Sequence, residues 1–195
     1  MRRLETEKDR MLRGEPYLAN DAALLEARGR CRVLCERFNA TSFSETVARR
    51  AILSELLGRI DEDAEVMAPF QCDYGYHVSV GARTFINYNA VLLDGASITI
   101  GSDVQIGPSV KLLTALHPLD PGERRRGVET ALPVTIGDGA WLATGVIVCP
   151  GVSIGADTVV GAGSVVTKDL PDAHLCFGNP CRVIRAILPS DRELR

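Results

Sequence analysis

The chain has 195 residues, 24% of them charged, and a formal net charge of −3; this suffices for one full-sized core or for a main domain with a smaller appendage. Lys and Arg are dispersed apart from the run Arg124 to Arg126, which argues against a nucleic-acid partner. No apolar run approaches the roughly 18 to 20 residues that span a bilayer, and the charged start MRRLETEKDR does not resemble a signal peptide, so a cytoplasmic protein with no membrane partner is expected.

Residues 1–61 read as a helical region. Between 22 and 38, Ala27, Cys31, Leu34 and Phe38 follow one another at spacings of four, three and four, which makes one apolar stripe. A second helix is predicted to start at Ser42, where Ser42 and Glu45 fit a capping box ahead of Val47, Ala51, Ile52, Leu56 and Ile60. The six cysteines, Cys31, Cys35, Cys72, Cys149, Cys176 and Cys181, include no CxxC pair. They are expected to be free thiols serving mostly as packing residues.

From about residue 78 the period changes to six. Ile100, Ile106 and Leu112 form one run, and Ile136, Leu142, Val148, Ile154, Val160 and Val166 another, with Gly101, Gly107, Gly137, Gly155 and Gly161 just behind. Val80, Ile86 and Leu92 keep the spacing two residues out of phase, so a short insertion is expected near 98. A six-residue repeat cannot stay on one face of an α-helix but suits a parallel β-helix, in which three hexads make one coil. The glycines are expected to supply positive φ at the corners. Spacing alone carries no handedness, although crossovers between parallel strands generally prefer the right hand.

After Leu112 and Leu116 the next hexads would begin at Pro118, Arg124 and Thr130, none of them aliphatic. Residues 118–133 are therefore expected to leave the prism as an ejected loop, with His117 at its root.

The hexads, the stretch PVTIGDGAWLATGVIVCPGVSIGADTVVGAGSVVTKDLP and the closing GNPCRVIR resemble the hexapeptide-repeat acyltransferases. MLRGEPY, FQCDYGYHVSVG, FINYNAVLLD and HPLDP are similar to the maltose and galactoside O-acetyltransferases and the nodulation-type acetyltransferases. The resemblance implies an all-β core, a left-handed parallel β-helix of hexapeptide repeats, with an N-terminal helical segment and a short C-terminal tail. Expected bounds are 1–61, 62–188 and 189–195. It also implies a homotrimer with sites at subunit interfaces, and acetyl transfer from acetyl-CoA to a sugar hydroxyl with no metal required.

A sugar hydroxyl is too weakly acidic to attack a thioester unaided, so a base is needed. His117 is matched to the family's catalytic histidine, and direct transfer in a ternary complex is expected. The backbone amide of Thr144 matches the family's oxyanion donor. For the acceptor the resemblance points to Asp73, Asn87, Asp94 and Glu129. Each has a plain alternative: Asn87 as a left-handed corner residue, Asp73 and Asp94 as turn formers, Glu129 as a solvated loop carboxylate. Ala19 departs from a family position that can carry an acidic residue near the acceptor, with Asn20 and Asp21 beside it.

For acetyl-CoA the matched positions are Thr144, Ala162, Thr167 and Lys168, with Arg182 and Arg185 suited to the nucleotide phosphates. Trp141 is expected to wall the cleft or to pack at the trimer interface. Rival readings are an acetyltransferase of the same fold acting on an antibiotic or amino acid, a non-catalytic scaffold, and a zinc carbonic anhydrase of the same fold. The last fits poorly, because His77 and His117 are far apart in the chain and His174 lies in the tail.

Overall fold

The structure, a computed structural model, describes residues 5–192. The hexad side chains fill its core: Ile100, Leu112, Ile136, Leu142, Val148 and Val160 are all buried. Their short strands stack in parallel register, so that Ile100 pairs with Ile136 and Ile136 with Ile154, while Leu112 pairs with Val148 and Val148 with Val166. Among the described residues the strands form three sheets of five, five and seven, the faces of a β-solenoid of about six turns. Each inward Leu, Ile or Val contributes about 1.5–3 kcal/mol of burial. An antiparallel hairpin, His174–Gly178 with Cys181–Ala186, extends the seven-stranded sheet at the C-terminal end. The solenoid starts at Arg59–Ile60, which pairs with Ser79 and Val80, slightly ahead of the expected boundary at 62.

The phase slip has a definite place. Val80 pairs with Ile100 and Cys72 with Leu92, steps of twenty residues, whereas Leu142 to Val160 is a step of eighteen. The extra residues fall at one corner, between Cys72 and Val78 and again between Leu92 and Ile98. In the third coil the same corner opens between Leu113 and Val134. The repeat thus breaks at the same edge of the prism three coils running.

Corner glycines such as Gly139, Gly151 and Gly163 do supply positive φ, but those just behind the aliphatic positions have a different role. Gly101 and Gly107 are absent from the positive-φ positions, which fall two residues later, at Asp103, Ser109, Gly139 and Gly145. What Gly101 provides is proximity: a Cβ there would lie 2.2 Å from Asp138 Oδ1 of the coil above.

In the N-terminal region, α1 (Glu7–Leu12), α2 (Ala22–Asn39) and α3 (Thr46–Leu56) are helical, but Tyr17–Leu18 is a strand. Asp21 caps α2 by accepting the amides of Ala23 and Leu24. The Ser42 capping box is half made: the Ser42 amide donates to Glu45 Oε2 at 2.6 Å, but residues 42–45 close a turn and α3 begins at Thr46 without a side-chain cap. On α2 the buried stripe runs through Cys35 rather than Leu34.

The segment 118–133 is more ordered than a loop. Ala115–Leu116 and Val128–Ala131 pair antiparallel, and Tyr17–Leu18 adds a third strand. At the tip, α4 (Pro121–Arg126) has Asp120 as its cap, Pro121 in its first turn and Gly127 at φ 79° as its stop. No described helix is long and apolar enough to cross a membrane.

Candidate active site

The corner where the repeat breaks is built around Asp94. This carboxylate is 0% exposed; Oδ1 accepts the amides of Asp73 (3.0 Å) and Tyr74 (2.8 Å), and Oδ2 accepts that of His77 at 3.3 Å. Burial pushes its carboxyl up against the opposing pull of those amides. Both oxygens are thus engaged by backbone amides of the neighbouring coil, and the carboxylate ties the two successive corners together. His77 is held in the same corner, its Nδ1 2.7 Å from the Asp94 carbonyl, and burial lowers its pKa. Thr114 locks the next coil: its hydroxyl donates to the Leu93 carbonyl at 2.6 Å and accepts the Ala96 amide at 2.9 Å.

On this frame stands the three-stranded unit that carries His117. Tyr17 faces Glu129 across the strand pair, and its buried hydroxyl donates to Glu129 Oε2 at 2.9 Å. Burial and then the Glu129 charge raise the Tyr17 pKa, keeping the phenol a donor. The other Glu129 oxygen lies 3.9 Å from His117 Nδ1. The His117 side chain is 61% exposed, and Glu129 faces its Nδ1 side.

Asp73 is half-buried in the same field, and among the described residues its carboxyl has no hydrogen-bond donor. Burial, then the Asp94 charge, push it above the ordinary carboxylate range; Arg28 opposes and Glu129 adds to the rise. A carboxyl with a raised folded-state pKa stabilises the fold most below its unfolded value, and that contribution is lost as pH rises through the raised value. Asp73→Asn is therefore expected to gain stability relative to the parent as pH rises above about 4. Melting temperatures of the two proteins from acid to neutral pH check this, and a constant difference between them contradicts it.

Tyr17, Arg28 and Tyr74 are missed by the sequence reading. Arg28 donates to the Tyr74 hydroxyl (2.7 Å) and to the Ala19 carbonyl (2.6 Å), so the departing position Ala19 contributes its backbone, and Asn20 lies against Gly127. The available signal was Pro16–Tyr17, which interrupts the helical pattern.

A second feature lies on a different edge, where the seven-stranded sheet turns into the next face. There a groove of about 260 Å³ is lined by Asn87, Gly107, Pro108, Trp141, Thr144 and Ala162, among others. Trp141 is 51% exposed. Asn87 is not a left-handed corner, since Asn89 holds the positive φ; its Oδ1 accepts the Tyr88 amide at 2.8 Å. Among the described residues the amides of Thr144 and Ala162 have no acceptor. A Cβ at Gly107 would sit 2.8 Å from the Thr144 nitrogen, so glycine keeps that amide open.

Thr167 and Lys168 are exposed and follow Val165–Val166. They therefore lie on the edge of His117, away from Thr144 and Ala162. Arg182 is exposed on the C-terminal hairpin, opposite Phe177, which stands over Gly161 at the upper end of the groove's face. Arg185 is engaged within the chain: Asp191 accepts from both of its terminal nitrogens, at 2.6 and 2.9 Å. The three histidines form no metal-binding group among the described residues, and His174 Nδ1 lies 2.6 Å from the Asp172 carbonyl.

Two family patterns match the chain: the maltose acetyltransferase hexapeptide capping motif over residues 10–61 and the bacterial transferase hexapeptide over 133–168. The chain is 40% identical over 192 residues to the galactoside O-acetyltransferase of Lactococcus lactis subsp. lactis, covering 98% of this chain and 92% of the relative. The crystal structure of a maltose O-acetyltransferase from Clostridium difficile 630 superposes with a TM-score of 0.93 at 44% identity, over 95% of this chain and all of that one. A hexapeptide-repeat acetyltransferase of Vibrio cholerae O1 biovar eltor, solved with acetyl coenzyme A, superposes with a TM-score of 0.87 at 37% identity, over 94% of this chain and all of that one.

Proposed function

The chain belongs to the hexapeptide-repeat acetyltransferases that carry the maltose acetyltransferase capping motif, and on that footing we propose that it transfers acetyl from acetyl-CoA to a hydroxyl of a sugar or glycoside, as a homotrimer with its sites between copies. One observation carries the reading: the open Thr144 amide and the exposed His117 imidazole lie on different edges of one three-sided prism. They can act on the same pair of substrates only if one copy's groove faces another copy's His117. A closed ring of such contacts leaves each copy contributing both halves. The placement of Thr167 and Lys168 on the His117 edge suits a long thioester substrate lying between two copies. The relatives' maltose and galactoside acceptors support a sugar.

In this mechanism Glu129, fixed by Tyr17, steadies the Nδ1 side of His117 and leaves Nε2 for the acceptor. His117 takes the hydroxyl proton as the sugar oxygen bonds to the acetyl carbon. The oxyanion that forms is held by the neighbouring copy's Thr144 N–H. As the carbon–sulfur bond breaks, the imidazolium returns its proton to the departing thiolate, and atoms and charge balance without an acyl-enzyme. Asp73 and Asn87 are assigned to the acceptor, and Asp94 to shaping the corner that presents them.

Arg182 is assigned to the nucleotide phosphates. Arg182→Ala is expected to raise the KM for acetyl-CoA more than that for the acceptor. Arg185→Ala is expected to have the smaller effect, because Asp191 already engages that guanidinium. A larger rise in the acceptor KM removes Arg182 from this role.

The function itself is tested by incubating the protein with acetyl-CoA and a panel of maltose, galactosides and other sugars. Free CoA thiol, corrected for hydrolysis, and the position of the new ester are read. An acetylated sugar is expected; an antibiotic or amino acid as the sole acetylated product, or no acetyl-CoA binding, overturns the proposal.

A further inference from the structure

Three of the six cysteines converge where α2 meets the first coils. Cys31 and Cys35 stand one helical turn apart on α2, and Cys72 ends the strand Phe70–Cys72. The Sγ of Cys72 is 3.5 Å from that of Cys31 and 3.8 Å from that of Cys35, and all three sulfurs lie within 4.8 Å of one another. The residues are 2%, 2% and 7% exposed. No step of the proposed reaction uses them, and no other group of three potential metal ligands occurs among the described residues.

The spacing discriminates between uses of such a cluster. At the zinc–thiolate distance of about 2.3 Å, sulfurs on a common ion lie about 4.0 Å apart in a trigonal plane and about 3.8 Å apart in a tetrahedron, and other thiophilic ions set a similar scale. The observed separations already fall near those values. A disulfide needs two sulfurs at about 2.05 Å, which would draw one pair well inside its present distance and strand the third thiol. An all-sulfur donor set without carboxylate or imidazole favours soft cations over magnesium or calcium. Thiols bind such an ion as thiolates, so an ion must displace protons as it binds.

There is also a way in. Cys31 lines a groove of about 670 Å³ between α2, Glu55 of α3 and the Tyr74 and Tyr76 corner. An ion entering there meets Cys31, the cluster residue that lines the groove.

We propose that Cys31, Cys35 and Cys72 form a three-thiolate site for one soft, thiophilic cation of the copper(I) or cadmium(II) type, joining α2 to the strand that leads into Asp73. None of the three cysteines lines the Thr144 groove or contacts His117, so the proposal stands whether or not the acceptor is a sugar.

The test uses the full chain, reduced and desalted. It is titrated with cadmium(II) and, in a separate series, with copper(I) held by a competing chelator. One equivalent per chain is expected to produce an ultraviolet thiolate-to-metal band and a higher melting temperature, while magnesium produces neither. Cys31→Ser and Cys35→Ala are each expected to abolish the band and to weaken binding at least tenfold, whereas Cys149→Ser, half-exposed and outside the cluster, leaves both unchanged. Circular dichroism and acetyl-CoA binding establish that the variants fold. The absence of a band at one equivalent, or stoichiometric binding unaltered by both cluster variants, overturns the proposal.

Discussion

His117→Ala is expected to lower turnover by about 10²-fold or more while leaving the solenoid and acetyl-CoA binding nearly unchanged. The structural half of this expectation follows from placement. His117 lies outside the buried ladder, its side chain is 61% exposed, and its recorded partner is the Glu129 carboxylate at 3.9 Å, so its removal leaves no cavity and no buried polar atom. Glu129 retains the Tyr17 hydroxyl. The chemical half follows from the acceptor, whose hydroxyl proton needs a base; the other imidazole of this corner, His77, has its Nδ1 2.7 Å from the Asp94 carbonyl. Steady-state kinetics on the variant check the loss, and turnover within a few-fold of the parent removes His117 from the base role.

Thr144→Pro is expected to be comparably damaging, lowering kcat by roughly 10²–10³ with a smaller change in the KM for the acceptor. The substitution deletes the N–H together with the side-chain hydroxyl, and Thr144→Ala removes the hydroxyl but not the N–H. Among the described residues that N–H has no acceptor, so no internal hydrogen bond is lost. The coil below already carries a proline at the same height, because Leu142 pairs with Ile106 and the second residue beyond each is Thr144 or Pro108. That corner therefore accepts proline's backbone. Thr144→Ala, which keeps the amide, is expected to retain most activity. Equal losses in the two variants would show that the side chain rather than the amide matters.

The solenoid was legible because its period is local: Ile100, Leu142 and Val160 announce themselves at six-residue steps, and stacking them requires no distant information. The two-residue slip was visible, but its meaning was not. Only the register of Val80 on Ile100 and of Cys72 on Leu92 shows that the slips and the projecting segment share one edge. His117 could be placed at the break by counting hexads, whereas Tyr17 could not. Its partner Glu129 is 112 residues away, and no spacing rule reaches that far. Asp94 shows a different limit. An Asp-Gly pair reads as a turn or a binding site, and neither reading reaches the amides of Asp73, Tyr74 and His77, 21, 20 and 17 residues back, that its carboxylate accepts. The tip helix α4 was readable from Asp120, Pro121 and Gly127 but was overshadowed by the broken repeat. Thr167 and Lys168 were grouped with Thr144 by resemblance, and the order of the sheets separates them. The cysteine cluster was half visible, since Cys31 and Cys35 share a helix face while Cys72 joins them only through the fold.

Sharing of each site between copies is tested most directly by mixing the two inactive variants. His117→Ala and Thr144→Pro chains, unfolded together in equal amounts and allowed to reassemble, form interfaces in which one copy supplies an intact His117 and its neighbour an intact Thr144 amide. With random assembly about a quarter of the interfaces are of that kind, so the mixture is expected to recover about a quarter of the parent's acetyl transfer while each variant reassembled alone stays inactive. A mixed assembly with no more activity than the sum of its two parents would contradict the account.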